Sequence, residues 1–81
     1  MLTPNPAINR VNVVIRGYSG IVTINLISLK GELLLQKKVA STSAKHIQEP
    51  LDISRFASGV YMVMVIDEQG RRGIQKLLVQ H

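Results

Sequence analysis

The sequence contains no cysteine and no tryptophan, and it is poor in rings and in acids. Without thiols, neither a disulfide framework nor a thiolate metal site can form. The lack of cysteine leaves the redox compartment open. Tyr18, Phe56 and Tyr61 are the only aromatic residues, so Val, Ile and Leu must fill the interior. No stretch is long and apolar enough to cross a bilayer as a helix. The amino terminus lacks the basic-then-apolar layout of a signal peptide. Nothing requires Met1 to be the native start, and the chain reads as one piece of something larger.

Chemistry-bearing groups are also scarce. His46 and His81 are the only histidines, and His81 is the last residue. Glu32, Asp67 and Glu68 fall in predicted turns, and Glu49 and Asp52 flank a proline bend. Turn acids usually accept backbone N–H bonds and leave acid–base work to others. No serine sits in a nucleophile elbow, and the isolated glycines make no phosphate-cradling loop. Asp67-Glu68-Gln69 is too short a run of oxygen ligands for a calcium site. The expectation is a non-catalytic domain with no cofactor and no metal.

The charge is one-sided, with ten Lys and Arg against five Asp and Glu. The bases are scattered from Arg10 to Lys76, and no block exceeds two. Solvated sheet faces and edges protected by charge account for this pattern. An anionic partner, nucleic acid or an acidic membrane surface, is the sharper alternative. Single-strand binders, however, set aromatic platforms in basic grooves. Here Tyr18 lies in a turn, Phe56 in a connection and Tyr61 in the most apolar strand, so no nucleic acid is expected.

What the sequence does contain is alternation. A chain of 81 residues predicts one domain. Such a chain buries about 60–65% of its unfolded surface, which leaves little for an enclosed pocket. Thr3 and Asn5 each precede a proline, so residues 1–9 read as a stiff, extended linker with at most a short edge strand. Val11, Val13 and Ile15 share one face of a strand over 10–16. Gly17-Tyr18-Ser19-Gly20 is a turn. Val22, Ile24 and Leu26 share a face over 21–29, while Ile27 and Leu29 have the opposite parity, which predicts a bulge near Ser28.

Lys30-Gly31-Glu32 is a tight connection with Gly31 as its left-handed residue, making a hairpin with 33–39. Leu33, Leu35 and Val39 are read as core, with Lys37 the exception. Residues 45–51 form a weaker strand that Pro50 assigns to an edge. The segment 52–59 crosses over, with one helical turn capped by Asp52 or Ser54. Residues 60–67 are apolar on both faces, which predicts a central strand covered on both sides. Residues 71–80 close the chain, with Ile74, Lys76 and Leu78 opposite Gln75, Leu77 and Val79. Residues 10–81 therefore predict an all-β fold, a small antiparallel β-sandwich of the immunoglobulin-like kind with about seven strands in two sheets.

Four segments carry a resemblance. Pro4-Asn5-Pro6-Ala7 looks like the opening of the C-terminal sorting domains of type IX secretion. Leu29-Lys30-Gly31-Glu32-Leu33 is similar to their Asp-x-x-Gly-Lys-x-Val turn. The segment from Leu51 to Tyr61, with Asp52, Ser58 and Gly59, resembles their LDLSxLxSGVY signature. Gln75-Lys76-Leu77-Leu78-Val79 resembles their terminal strand. The four occur in order from Pro4 to Val79. Two departures stand out: Ser28 or Leu29 replaces the Asp before the turn, so that acid's role does not carry over, and the chain ends in Gln80-His81 instead of a basic residue.

The resemblance implies a domain that follows a secreted cargo of a Bacteroidota-type bacterium, which itself can be a protease or a glycoside hydrolase. It implies passage through the periplasm, recognition by the type IX translocon, and removal by a surface sortase, leaving the cargo on the cell surface or secreted. Pro4, Asn5, Pro6, Gly31, Asp52, Ser58, Gly59, Tyr61 and the run from Gln75 to Val79 are the implied signal positions. The last strand, as an exposed edge, is the expected recognition surface, and such an edge can also support dimers or strand exchange. The alternative is a retained, non-catalytic adhesion or accessory module of a surface enzyme.

Overall fold

The computed structural model of the chain describes residues 2–3, 8–18, 20–41 and 46–81. Seven strands follow in chain order: β1 (Leu2–Thr3), β2 (Arg10–Arg16), β3 (Gly20–Ser28), β4 (Leu33–Ser41), β5 (His46–Asp52), β6 (Gly59–Ile66) and β7 (Arg72–Val79). They make a three-stranded sheet, β1-β2-β5, and a four-stranded sheet, β4-β3-β6-β7. Every pairing is antiparallel.

Alternation builds the core. Val11, Val13 and Ile15 of β2 are buried, as are Val22, Ile24 and Leu26 of β3, Val63 and Val65 of β6, and Leu77 and Val79 of β7. Leu2, Leu51 and Ile53 complete one cluster shared by both sheets. Burying each such side chain contributes about 1.5–3 kcal/mol. Strands 1, 2 and 5 facing 3, 6 and 7 is the immunoglobulin-like division; the fourth strand here lies beside the third. The Tyr61 hydroxyl donates to the Ala57 carbonyl at 2.5 Å. That bond, at the start of β6, is the tyrosine corner of such sandwiches.

Pro50 lies on β5, an edge strand, as its missing N–H requires. The predicted bulge sits one step earlier than expected, between Leu26 and Ile27. Leu26 pairs with Leu35 and Ile27 with Leu33, so Leu34 is the extra residue. Leu34 packs on the core, and Leu33, expected there, is exposed.

Lys37 occupies an inward position opposite Ile24. Its ammonium leaves the interior at the sandwich margin, donating to Glu49 Oε2 at 3.1 Å and to the Pro50 carbonyl at 2.9 Å. A cation at a core-facing position thus ties the edge of one sheet to the edge of the other.

One further expectation is corrected. β6 is central in its sheet, but no described element covers its outer face, where Met62, Met64 and Ile66 are half-buried. The segment after β5 holds a single turn closed by the i to i+3 bond of the 3₁₀ kind, the Phe56 N–H donating to the Ile53 carbonyl at 3.1 Å. A half-open cleft of about 550 Å³, not an enclosed pocket, lies between the sheets, lined by Leu2, Val13, Ile15, Tyr18, Val63 and Val65. Gly73 and Gln75 face this cleft from β7, and a β-carbon at Gly73 would stand 2.8 Å from the Tyr18 hydroxyl.

Candidate functional site

Strand register gathers the signature residues at one end of the four-stranded sheet. Ser28 pairs with Tyr61, and Tyr61 with Leu77, so three strands align there. Gly59 pairs with Val79 on the same rung as the chain's tail. The Ile53 N–H donates to the Asn9 carbonyl at 3.0 Å, which brings the start of β2 to this end as well.

The connection between β5 and β6 is held by local polar bonds. The Asp52 carboxylate accepts from the Ser54 hydroxyl at 2.7 Å and the Ser54 N–H at 3.0 Å. These two bonds, the hydroxyl's first, hold the Asp52 carboxyl below its ordinary range, and Arg55 and Arg10 add to the effect. The expected capping by Asp52 is therefore present, on a turn. Arg55 lies over the Phe56 ring at 5.9 Å, and the Phe56 and Tyr61 rings meet at 6.2 Å, tilted by 55°.

The tail is fastened to this connection. The His81 N–H donates to Ser58 Oγ at 3.0 Å. His81 Nε2 lies 2.6 Å from the Phe56 carbonyl, so Nε2 carries the hydrogen. A terminal histidine that spacing alone marks as merely solvated thus closes the loop between the signature segment and the end of the chain.

The turn after β3 is built on Ser28 and Gly31. Ser28 Oγ accepts from the N–H groups of Lys30 at 3.3 Å and Glu32 at 3.2 Å. Gly31 has φ +90°, which a β-carbon disfavours. The Ser28 hydroxyl therefore holds the backbone of this turn.

Of the remaining signal positions, Leu77 and Val79 are core, Leu78 is half-buried, and Gln75 and Lys76 are exposed. β7 is an edge of its sheet. Pro4, Asn5 and Pro6 lie outside the described residues. Spacing offered Ser54 as a cap and not as the donor to Asp52, and it missed His81 and the Ala57 carbonyl, because each acts through a bond that only the folded crossover creates.

No group of three or more His, Cys, Asp or Glu positioned to hold a metal occurs among the described residues. The three aromatic rings all pack against the core and so are not set out as stacking platforms.

These features define a small antiparallel β-sandwich whose last strand lies at an edge and whose tail is locked to its signature loop. The chain belongs to the secretion system C-terminal sorting domain family, whose model matches residues 2–80. This is the sorting signal of type IX secretion, and it implies a cargo, the machinery that reads the signal, and export to the bacterial cell surface or medium. Domains of this kind are in general not catalytic. No curated protein matches the chain.

Proposed function

We propose that residues 10–81 are the transported signal itself, with residues 1–9 linking it to a cargo domain upstream. The cargo passes through the periplasm, the outer-membrane translocon takes hold of this domain, and a surface sortase cuts ahead of it. The domain is then the substrate of the machinery and performs no reaction. The observation that carries this reading is the union of the signature connection with the terminal strand through Ser58 and His81. One folded end presents Gly31, Asp52, Ser58, Gly59 and Tyr61 together, so a receptor can read sequence segments that are far apart in the chain.

The test is a fusion of the chain to a periplasmic reporter in a host with the type IX system. The reporter should reach the medium, and deletion of Lys76 to His81 should trap it in the periplasm. Because Leu77 and Val79 are core residues, a second variant, Gln75→Glu with Lys76→Glu, reads the exposed part of β7 with the core intact. Export that survives both changes would remove β7 from the signal. Mass spectrometry of the exported product should find its C-terminus upstream of Pro4.

A second reading, a retained accessory module, draws support from the cleft between the sheets, whose lining is mainly apolar. It predicts that the mature product keeps the domain.

A further inference from the structure

The outer face of the four-stranded sheet is not what a solvated sheet face should be. Inward and outward positions alternate, so the residues opposite the core all share this face. Ile27, Met62, Met64, Ile66, Ile74 and Leu78 lie on it, in register across β3, β6 and β7. Ile74 is 60% exposed, although its cross-strand neighbour Met64 is half-buried. An antiparallel sheet with one solvated face normally places polar residues there. This one places an apolar patch at its centre.

The charges at the strand positions of this face have one sign, and the one exposed acid beside it is Glu68, which borders Ile21, Thr23, Lys38 and Ile66 from the turn after β6. Lys38, Arg72 and Lys76 occupy outward strand positions, and none of the outward strand positions is acidic. That asymmetry decides among three occupants. A second copy of this chain would bring two basic rims together, which like-charge repulsion opposes. The face spans about 450 Å² at ordinary strand spacing and rise, less than the roughly 800 Å² per partner of a standard interface, which limits any protein partner here to a small contact.

A lipid surface would suit the bases but not the centre of the patch. Asn25 is buried there, accepting from Gln36 Nε2 at 2.9 Å, and Thr23 lies beside it on β3. Two carboxamides have more donors and acceptors than one mutual bond satisfies, and hydrocarbon offers none. A protein surface can supply those partners. Flexible methionines at the centre suit contact with a protein of unlike shape.

We propose that this outer face, centred on Met62, Met64 and Ile74, is the surface by which a receptor of the secretion machinery holds the domain, and that the receptor's patch is apolar with a carboxylate-rich rim. This rests on the sorting reading above and adds to it which side chains are read: the face of β6 and β7 as well as the edge. The modest area gives a short-lived complex, suited to a cargo that must be released.

The reporter fusion tests it with two variants of equal charge change. The face variant carries Arg72→Glu and Ile74→Gln. The control carries Arg16→Glu, an exposed position on β2 in the other sheet. Both should keep the thermal midpoint of the unaltered chain within a few degrees. The face variant should leave at least tenfold more reporter in the periplasm, while the control exports normally. Equal export of the two, with the unaltered chain exported and the Lys76 to His81 deletion trapped, overturns the face and leaves the sorting reading standing. An unaltered chain that is itself not exported overturns both.

Two binding measurements complete the test. Vesicles of phosphatidylcholine and phosphatidylglycerol should not retain the chain. Retention that the face variant loses would assign the face to lipid and overturn the proposal. Sedimentation should give a monomer, and a dimer abolished by the face variant would overturn it as well.

Discussion

Ser28 and Asp67 hold equivalent corners of the two hairpin turns of the four-stranded sheet. Asp67 Oδ1 accepts from the N–H groups of Gln69 and Arg71, both at 2.9 Å. Ser28 Oγ accepts from the residues at the same two offsets, Lys30 and Glu32. In each turn the first residue's N–H donates to the fifth residue's carbonyl, and its carbonyl accepts from the fourth residue's N–H. That fourth residue is glycine both times, Gly31 at φ +90° and Gly70 at φ +85°. The two segments, Ser-Leu-Lys-Gly-Glu and Asp-Glu-Gln-Gly-Arg, are one structural device built with a neutral and a charged acceptor.

A charged acceptor strengthens such bonds about twofold, so Ser28→Asp should stabilise the domain by about 0.5–1 kcal/mol. The thermal midpoint should rise by about 3–6 °C, by the usual scaling for a domain of this size. Asp67→Ala should do the reverse and cost about 1–3 kcal/mol, because it strands two turn N–H groups. Calorimetry of the three chains checks the pair. A destabilised Ser28→Asp chain would show that the two turns are not equivalent.

The strands were legible because aliphatic alternation is a local signal, and Val11, Val13 and Ile15 are as buried as their spacing requires. The hairpin of β3 with β4 was legible from its tight turn, but the long-range partners were not, because nothing in β2 names β5 and nothing in β3 names β6. Leu33 was misread because Leu34, the bulge residue, shifts the parity of the strand by one. Lys37 looked like a break in the core face, and it is an inward residue that escapes sideways to Glu49. The apolar run of β6 has the same pattern whether a strand is central in its sheet or covered on both faces, so alternation alone could not separate the two. At the candidate site, Gly31, Asp52 and Tyr61 were recognisable by residue type. The tie between Ser58 and His81 was not, since it spans the whole of β6 and β7.

Asp52 sets a pH signature. Its carboxyl is held low in the folded chain by the Ser54 hydroxyl and N–H. A depressed folded value means that the stabilisation is present above the unfolded value, close to 3.8, and is lost as pH falls through the folded one. Stability from this contact should therefore be constant at neutral pH and fade only under acid conditions. Ser54→Ala removes the larger bond, and the Asp52 titration, followed by carboxyl NMR, should move upward toward the ordinary range. An unmoved titration would assign the shift to the bond from the backbone N–H of residue 54, with Arg55 and Arg10.

The tyrosine corner should be separable from the tail lock. Tyr61→Phe keeps the ring against the core and removes the donor to Ala57, costing about 0.5–1.5 kcal/mol. Ser58→Ala leaves that bond in place and frees the His81 amide. It should change global stability by less than about 0.5 kcal/mol, the usual limit for an exposed site. Hydrogen exchange at the His81 N–H should nevertheless accelerate, and carboxypeptidase should trim the end faster. Equal exchange in both chains would mean that the His81 ring alone holds the tail.

Leu77 and Leu78 are adjacent in β7 and point to opposite faces, which makes them a direct comparison of fold and signal. Leu77 is fully buried in the shared core, and Leu77→Ala should cost about 2–5 kcal/mol through lost burial and the cavity left behind. Leu78 is half-buried on the outer face opposite Val60. Leu78→Ala should cost under about 1.5 kcal/mol, since partial burial scales the transfer loss down. In the reporter fusion, Leu77→Ala should lose export together with its folded, protease-resistant core. Leu78→Ala should keep that core and still export less, because the side chain it removes is one the receptor touches. A chain with Leu78→Ala that folds and exports as well as the unaltered one would place the recognition of β7 in its backbone edge alone.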